Sequence, residues 1–347
     1  MDGRAVLDWC RSRPGVTEEL PFGPDVRVFK VWGRMFAGCP ADPDPAHVSL
    51  KCEPRFAEHL RAEHGAITAA YHMSKRHWNS VLLDGDLPDD LVEELLGHSY
   101  TLVVDGLPRR YRALAAGRAR LDEAAFHTGD FDSAEAPLAE ARRLAETADD
   151  RRCLAAALDQ LGTVRHWRNL EAWAGDGFPR AAPEDVAEEL AMVQQALAIR
   201  RTLGRDVEIG ESVFRVGLVH QLFTDDWDQA ERCFAEARRL AEAAGNCWLL
   251  FEARRHLGAV AWHRGDFDQA IQHLTASLEY SLRIGWQGGA TALIALGRCE
   301  VAAGRRPDGI AHLRQGVELA ERRGFRRHIV DPARRALVEA TQQEGGA

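Results

Sequence analysis

The C-terminal two thirds of this sequence repeats itself with a period near 40 residues, and that period restricts the fold more than any other feature. The glycines of the motifs QLG, RVG, HLG and ALG fall at Gly162, Gly217, Gly258 and Gly297. The motifs GDFDSA, DDWDQA, GDFDQA and GRRPDG end at Ala134, Ala230, Ala270 and Gly309. Glycines at 204, 245, 285 and 324 are spaced by 41, 40 and 39 residues, and glycine often ends a helix. Each unit is therefore predicted to be two amphipathic helices joined by a tight turn.

We predict five such units and a polar capping helix, at 118–148, 151–204, 207–245, 247–285, 287–324 and 326–342. Small residues such as Gly258 and Ala270 allow the two helices of one unit to approach closely. The aromatic residues Phe131, Trp227 and Phe267 follow the turn glycine or aspartate, and we predict that they fill the turns.

Three units depart from this pattern. The first unit has Asp122 at the position of the LG glycine. The last unit carries Gly309 and Gly316 where the repeat places small alanines. In the second unit, residues 168–184 lengthen the connection between the two helices. This segment contains Trp173, Phe178, glycines and prolines, and it predicts an ordered loop.

The LG motif, the GDFDQA motif twelve residues later and the bulky Leu274 that follows resemble the tetratricopeptide repeat (TPR). The period exceeds the usual value of about 34 residues, which implies longer helices. The resemblance implies an all-α, TPR-like superhelical solenoid over residues 118–347, in which the first helices of the units line a concave groove.

The same resemblance places groove side chains three residues before each LG glycine and one, four and five residues after it. These positions hold Asp159, Thr163, His166, Trp167, Phe214, Leu218, Gln221, Leu222, Arg255, Ala259, Trp262, His263, Ile294, Arg298, Val301 and Ala302. The polar and aromatic members form the predicted partner groove: Asp159, His166, Trp167, Gln221, Arg255, Trp262, His263 and Arg298. Trp and Arg dominate many binding sites, although Trp167 and Trp262 could equally pack between repeats.

The first 117 residues have a different pattern, which predicts a separate α+β domain. Helices are predicted at 2–13, 54–63 and 88–100, with a further helix after residue 108. A hairpin is predicted at 26–39 around Trp32-Gly33, with further strands at 47–52 and 79–84. Helices and an antiparallel sheet segregated in this way are typical of α+β domains.

The segments PFGPDVRVFKVWGRMFA, VSLKCEP, YHMSKRHWNSVLLDG and LPDDLVEELLGHSYTLVVDGLP resemble the MmcQ/YjbR family over residues 3–115. The resemblance implies a compact, CyaY-like fold with an antiparallel sheet backed by helices. The family is commonly labelled DNA-binding, so the resemblance also implies a DNA contact as a hypothesis.

A basic island at residues 71–78 is the candidate site of this domain. We predict a nucleic-acid or ligand site that comprises Lys51, His72, Lys75, Arg76, His77, Trp78, Arg109 and Arg110. The chain has only three lysines, Lys30, Lys51 and Lys75, and an ammonium group suits close contact with one anionic oxygen. The alternative is that Trp78 is a core aromatic residue with a solvated basic rim. The arginines at 109–112 could likewise be solvated at the start of a helix.

The charge balance limits how strongly this chain could bind nucleic acid. The chain has 44 Lys and Arg against 53 Asp and Glu, a net charge of −9. Residues 1–117 hold 14 basic and 17 acidic residues, a net −3, so residues 118–347 hold 30 and 36, a net −6. Neither part is a strongly basic nucleic-acid binder, so any contact with DNA depends on a local patch and is expected to be weak.

Other patterns exclude several classes of protein. The seven cysteines are scattered without a C-x-x-C motif, which argues against disulfides and zinc and favours the cytoplasm. We expect no signal peptide, no membrane segment, no metal and no cofactor. Nucleotide-binding, serine-hydrolase and metalloprotease motifs are also absent from the sequence, so we expect a protein that is not an enzyme.

Three functional hypotheses remain open at this stage. The first is a binding protein whose repeat groove captures a peptide, protein or small molecule, with the YjbR-like domain supplying a second contact, to DNA among other candidates. The second is a protein that sequesters an aromatic natural product between the two domains, which the antibiotic gene cluster behind the name MmcQ suggests. The third is an assembly scaffold.

Overall fold

The structure is a computed structural model that describes residues 1–11, 13, 15–171, 181–283 and 289–342. The chain divides into two compact units, Met1–Ala115 and Ala116–Ala347. The first unit contains helices α1 (Gly3–Arg11), α2 (Pro54–Glu63) and α3 (Asp89–Asp105). Its strands are β1 (Val16–Glu19), β2 (Val26–Val31), β3 (Arg34–Pro40), β4 (His47–Lys51), β5 (Ile67–Ala69) and β6 (Trp78–Leu82).

These strands form one antiparallel sheet in the order β1-β2-β3-β4-β6-β5. The β2–β3 hairpin turns at Trp32 and Gly33, whose φ angles of 49° and 83° are both positive, as a type I′ turn requires. One face of the sheet, including Leu50 and Val81, packs with apolar residues of α1, α2 and α3 to form the core. Side chains alternate between faces along a strand, so Lys51 and Trp78 lie on the other face.

The second unit is a series of helix pairs. Helix α4 (Arg109–Glu123) crosses the boundary between the units and ends in a π-helical turn, Ala124–Thr128. The helices that follow are α5 (Phe131–Thr147), α6 (Arg151–Glu171), α7 (Pro183–Leu203), α8 (Asp206–Leu222), α9 (Trp227–Ala244), α10 (Cys247–His263), α11 (Phe267–Arg283), α12 (Gly289–Ala302), α13 (Arg306–Arg322) and α14 (Arg327–Gln342). The prediction of an α+β unit followed by a TPR-like solenoid is confirmed. The ordered loop predicted around Trp173 and Phe178 lies outside the described residues.

The repeated sequence motifs have direct structural roles. The aspartates that precede the turn aromatics accept hydrogen bonds from backbone N–H groups three residues later, which caps the second helix of three units: Asp130, Asp226 and Asp266. Gly204 and Gly245 end helices in the left-handed conformation, with φ angles of 64° and 65°. At Gly258 an added Cβ would lie 2.7 Å from Leu274 Cγ, so this LG glycine permits the close approach of α10 and α11.

The two ends of the helical array contact each other. Phe126, in the π-helical turn, packs against a buried cluster of the last repeat and capping helix: Ala290, Ala320, Phe325 and Val330. The backbone N–H of Arg326 donates to the carbonyl of Phe126 at 2.9 Å. Groups up to 202 positions apart are thus hydrogen-bonded, and the array closes on itself.

Among the residues that the structure describes, no helix combines the length and the apolar character needed to cross a bilayer.

Candidate functional site

The first helices of the repeats, α6, α8, α10, α12 and α14, contact one another in succession and form one wall of the array. On this wall Trp262 is half-buried and packs against a core cluster that includes Leu274 and Leu296. The exposed Arg298 guanidinium lies over the Trp262 ring, 5.5 Å from its centroid. No carboxylate of the described residues forms an ion pair with Arg298. Trp262 and Arg298, which belong to adjacent repeats, are called the Trp262 site below.

Arg255, the third residue predicted for this part of the groove, is engaged within its own helix. Its guanidinium forms an ion pair with Glu252 at 2.6 Å and lies 6.0 Å from the ring of Phe251. Arg255 is half-buried, so it borders the Trp262 site but already has a partner.

Other predicted groove residues lie inside the protein. Asp159 is fully buried and its Oδ2 atom pairs with Arg200 at 3.1 Å and Arg215 at 2.7 Å. A residue with no exposed surface cannot contact a partner in this conformation, so the prediction for Asp159 is not met here. Burial opposes the charged form of Arg200, yet Asp159 and nearby glutamates raise its pKa above the ordinary value. Asp159 therefore joins repeats rather than facing a groove.

His166 and Gln221 are buried as well, with 7% and 3% of their surface exposed. His166 Nδ1 lies 2.8 Å from Glu189 Oε1, and Gln221 Oε1 lies 2.6 Å from His256 Nδ1. Burial, together with the charge of Arg255 and the proximity of His166, lowers the pKa of His256 well below its ordinary value. A neutral His256 can donate one hydrogen bond to Gln221, so these polar groups satisfy each other within the wall.

Two further predicted groove residues, the half-buried Trp167 and the exposed His263, make ring contacts with turn aromatics. Trp167 stacks on Phe131 with ring centroids 6.5 Å apart and lies 6.4 Å from Phe126. His263 stacks on the turn residue Trp227 at 3.9 Å, with an interplanar angle of 8°. For Trp167 the structure thus shows the packing alternative, whereas Trp262 combines packing with an exposed cation above its ring.

A second candidate surface lies in the first unit, on the face of the sheet opposite the core cluster. Trp78 and Lys51 are directly opposite each other in the β4–β6 register, so their Cβ atoms are close. Trp78 is half-buried and does not belong to the core cluster formed by the described residues. Part of the Trp78 side chain is therefore open to solvent. Lys51, Lys75, Arg76, His77 and Trp78 are called the Trp78 face below.

The basic loop of this face is held in place by a residue that the sequence did not single out. Arg61 of α2 donates to the carbonyl of Lys75 at 3.1 Å and to Asn79 Oδ1 at 2.7 Å. The buried Asn79 in turn donates to the carbonyl of Ala57. The carbonyl of His77 also accepts from the N–H of Cys52 at 2.8 Å. These bonds fix the loop backbone, while the side chains of His72, Lys75 and Arg76 remain exposed.

Arg109 and Arg110 lie at the start of α4 rather than on the sheet. The half-buried Arg110 is 5.4 Å from the ring of Tyr111, which itself contacts Trp32 at 5.2 Å. Arg110 is therefore already engaged in packing.

The residues described by the structure include no group of three or more His, Cys, Asp or Glu side chains that could hold a metal ion. All seven cysteines are free, and only Cys247 is not buried. Burial raises the pKa of Cys39, Cys52, Cys233 and Cys299 to about 11, so these thiols stay protonated at neutral pH.

Comparison with known proteins places both parts of the chain. A tetratricopeptide repeat model matches residues 249–322. The solved Rap protein in complex with Competence and Sporulation Factor is 15% identical and has a TM-score of 0.50, with 69% of this chain and 62% of that chain covered. This likeness shows a common fold.

The YjbR model matches residues 11–102. The uncharacterized protein YjbR of Escherichia coli strain K12 is 34% identical over 109 residues, which is 31% of this chain and 92% of that protein. A solved Deinococcus radiodurans protein with domain DUF419 is 36% identical over 32% of this chain and 84% of its own, with a TM-score of 0.30. The chain therefore belongs to the YjbR family, and tetratricopeptide repeats follow its YjbR domain.

Proposed function

We propose that this chain is a binding protein without enzymatic activity, and that its repeat region captures a peptide or a segment of another protein at the Trp262 site. The tetratricopeptide match and the fold shared with a Rap protein support an interaction role, since that Rap protein was solved with Competence and Sporulation Factor bound. The observation that carries the proposal is the exposed Arg298 guanidinium above the half-buried Trp262 ring.

The chemistry of the Trp262 site defines the kind of peptide that it would bind. A guanidinium presents parallel N–H donors that match a carboxylate, and the indole beneath it offers an apolar surface. Arg298 has no acidic partner among the described side chains, so a carboxylate brought by a peptide would not have to displace one. We therefore expect a peptide with an acidic residue, or its terminal carboxylate, next to a large apolar side chain.

Replacing Arg298 with alanine should weaken peptide binding by about 2 kcal/mol, which is about 30-fold in Kd. Stability should change by no more than about 0.5 kcal/mol, because the side chain is exposed. A random dodecapeptide library displayed on phage would be selected against the full chain. The affinity of the enriched peptides would then be measured by calorimetry for the parent and for the variant.

Arg239→Ala is a matched control, since Arg239 is an exposed arginine on the second helix of another repeat. Equal affinities for the Arg239 and Arg298 variants would refute the Trp262 site. Trp262→Ala adds a second readout, because this residue packs as well as facing solvent. A loss of stability with unaltered peptide affinity would assign Trp262 to packing alone.

We further propose that the Trp78 face supplies a weak second contact, with DNA as its partner. Exposed cations beside a half-buried indole suit a backbone phosphate and a stacked base. Such a contact depends on a few phosphate charges, so it should weaken steeply as the salt concentration rises.

Reversing the charge of Lys75 and Arg76 together to glutamate should abolish the gel shift of a labelled single-stranded oligonucleotide at low salt. The two side chains are exposed, and reversal replaces attraction of phosphate by repulsion. The control variant carries Arg322→Glu and Arg323→Glu. These two exposed arginines lie at the C-terminal end of α13, and their reversal changes the net charge of the protein by the same amount. An unchanged shift in the first variant, or an equal loss in both, would count against the Trp78 face.

A further inference from the structure

The contact between the two ends of the repeat array is concentrated around one side chain. Arg326 Nη1 donates to the carbonyl of Ala124 at 3.3 Å, and Arg326 Nη2 forms an ion pair with Glu171. Its guanidinium also lies 5.7 Å from the ring centroid of Phe131. One arginine after α13 thus binds three separate elements of the first two repeats.

The other components of this contact include the apolar cluster around Phe126 and two ring or side-chain contacts. The Phe126 ring lies 5.2 Å from the Phe325 ring, and His127 Nδ1 lies 3.3 Å from the carbonyl of Gly324. Adjacent repeats elsewhere in the array pack along whole helices, whereas this closure joins two turns and a small number of side chains from the helices beside them. Arg326 and Glu171 keep 19% and 32% of their side-chain surface exposed, so water reaches the ion pair.

The backbone at this point is also unusual. Phe126 and His127 belong to the π-helical turn that ends α4, in which Gly129 donates to the carbonyl of Ala124. Turns of this type are rare and occur frequently at functional positions. The widened turn carries both side chains that contact residues 324 and 325.

In this closed state several positions of the wall formed by the first helices, called the inner wall below, are buried. Four of the sixteen predicted groove positions, Asp159, His166, Gln221 and Phe214, expose 0%, 7%, 3% and 4% of their surface. Thr163, Leu218, Leu222 and Ala259, at other positions of the wall, are half-buried. Opening of the array would expose more of these side chains to a peptide that used the wall's length.

We infer that the contact between residues 124–131 and 324–327, centred on Arg326, is a latch that holds the repeat array closed and opens to admit a peptide to its inner wall. The admission of a peptide rests on the function proposed above, whereas the opening of the latch does not. Opening breaks one backbone hydrogen bond, the Arg326 contacts and the burial of Phe126, and leaves the helix pairs intact.

The test measures access to the inner wall and needs no peptide. Ala259→Cys introduces a thiol at a half-buried position of the wall, and Ala198→Cys introduces one at an exposed position of α7. Each full-length protein is labelled with N-ethylmaleimide and with a bulky fluorescein maleimide, and the rate of the parent protein is subtracted because Cys247 is half-buried. The ratio of the two rates reports access for a large molecule.

Adding Arg326→Ala should raise the bulky-reagent rate at position 259 by about tenfold, because the latch then opens more often. The rate at position 198 should not change. The rate of backbone amide hydrogen exchange should rise in the chain segments 124–131 and 319–331 and stay constant in segment 227–244. Glu171→Gln, which removes only the ion pair, should give a smaller change in the same direction.

Two results would overturn the latch. The first is an unchanged bulky-reagent rate at position 259 in both variants. The second is faster exchange throughout the array, which would make the contact a part of the folding core and not a separable closure. The labelling and exchange experiments use no peptide, so a failure of the phage selection would not change their results. The latch and the proposed function are therefore tested separately.

Discussion

Replacing Asp159 with alanine should destabilise the repeat region by about 3–5 kcal/mol, because the change leaves buried guanidinium groups without their carboxylate. Asp159 is fully buried, and its two oxygens accept from Arg200, Arg215 and the Ser212 hydroxyl. Arg200 is itself 4% exposed, so water cannot take the place of the lost anion. The ion pair connects α6 with α7 and α8, and its loss affects two repeats at once.

Urea unfolding followed by circular dichroism at 222 nm measures this effect, since nearly all residues of the region are helical. Glu231→Ala is the control, because it removes an ion pair with Arg264 at 2.8 Å whose partners are 41% and 40% exposed. Exposed pairs contribute about 0–1 kcal/mol. A loss below about 1 kcal/mol for Asp159→Ala would mean that the buried guanidinium groups find other partners.

Asp159 shows which properties of a repeat residue can be predicted from the sequence and which cannot. Its distance from the LG glycine correctly assigns it to one face of α6, because helix geometry relates positions three and four apart. The partners Arg200 and Arg215 come from α7 and α8, and no local spacing predicts which carboxylate they will approach. A face can therefore be read from periodicity, but whether a charge on it is paired depends on tertiary packing.

Helix boundaries in the repeats were predictable for local reasons. The capping aspartates and the terminal glycines act on the backbone within a few residues, so Asp226 and Gly245 mark the ends of α9 in the sequence itself. The first repeat was less regular, and α4 begins at Arg109 although the first unit was predicted from residue 118.

Two strands of the first unit were missed because they are short and lie at the sheet edges. β1 has the sequence VTEE and β5 has the sequence ITA, and neither shows an extended alternation of apolar residues. Both are stabilised by pairing with β2 and β6, which are the stronger signals in the sequence. The predicted strand at 79–84 begins one residue earlier, and that residue is Trp78.

The closure of the array could not be predicted from any window of the sequence. Phe126 and Arg326 are hydrogen-bonded through their backbones, yet 200 positions separate them. The curvature that brings them together accumulates from small rotations between repeats. Trp167 and His263, each five residues after an LG glycine, both stack on the turn aromatic of the preceding helix pair, Phe131 and Trp227. Trp262, four residues after Gly258, instead lies beneath Arg298, which comes from the next repeat.

Replacing Gly297 with alanine should destabilise the protein by about 2 kcal/mol or more, although alanine is favoured over glycine in a helix interior by about 1 kcal/mol. An added Cβ would lie 2.6 Å from the carbonyl oxygen of Gly309 and 2.8 Å from the nitrogen of Leu313. Both atoms belong to the backbone of α13, so no side-chain rotation can relieve the contact. In the preceding repeat the corresponding distance, from Gly258 to the carbonyl of Ala270, is 3.3 Å.

This difference explains why the fifth repeat has glycine where the others have alanine. Helices α12 and α13 approach more closely than α10 and α11, and the Cβ of Gly309 would in turn lie 2.7 Å from the carbonyl of Gly297. Gly289→Ala, in the same helix, is the control, because its nearest described atom is the Ser281 hydroxyl at 3.3 Å. Urea unfolding should place the Gly289 variant within about 1 kcal/mol of the parent. A Gly297 variant as stable as that control would mean that α12 and α13 can separate without loss, and the close approach would not be what selects glycine there.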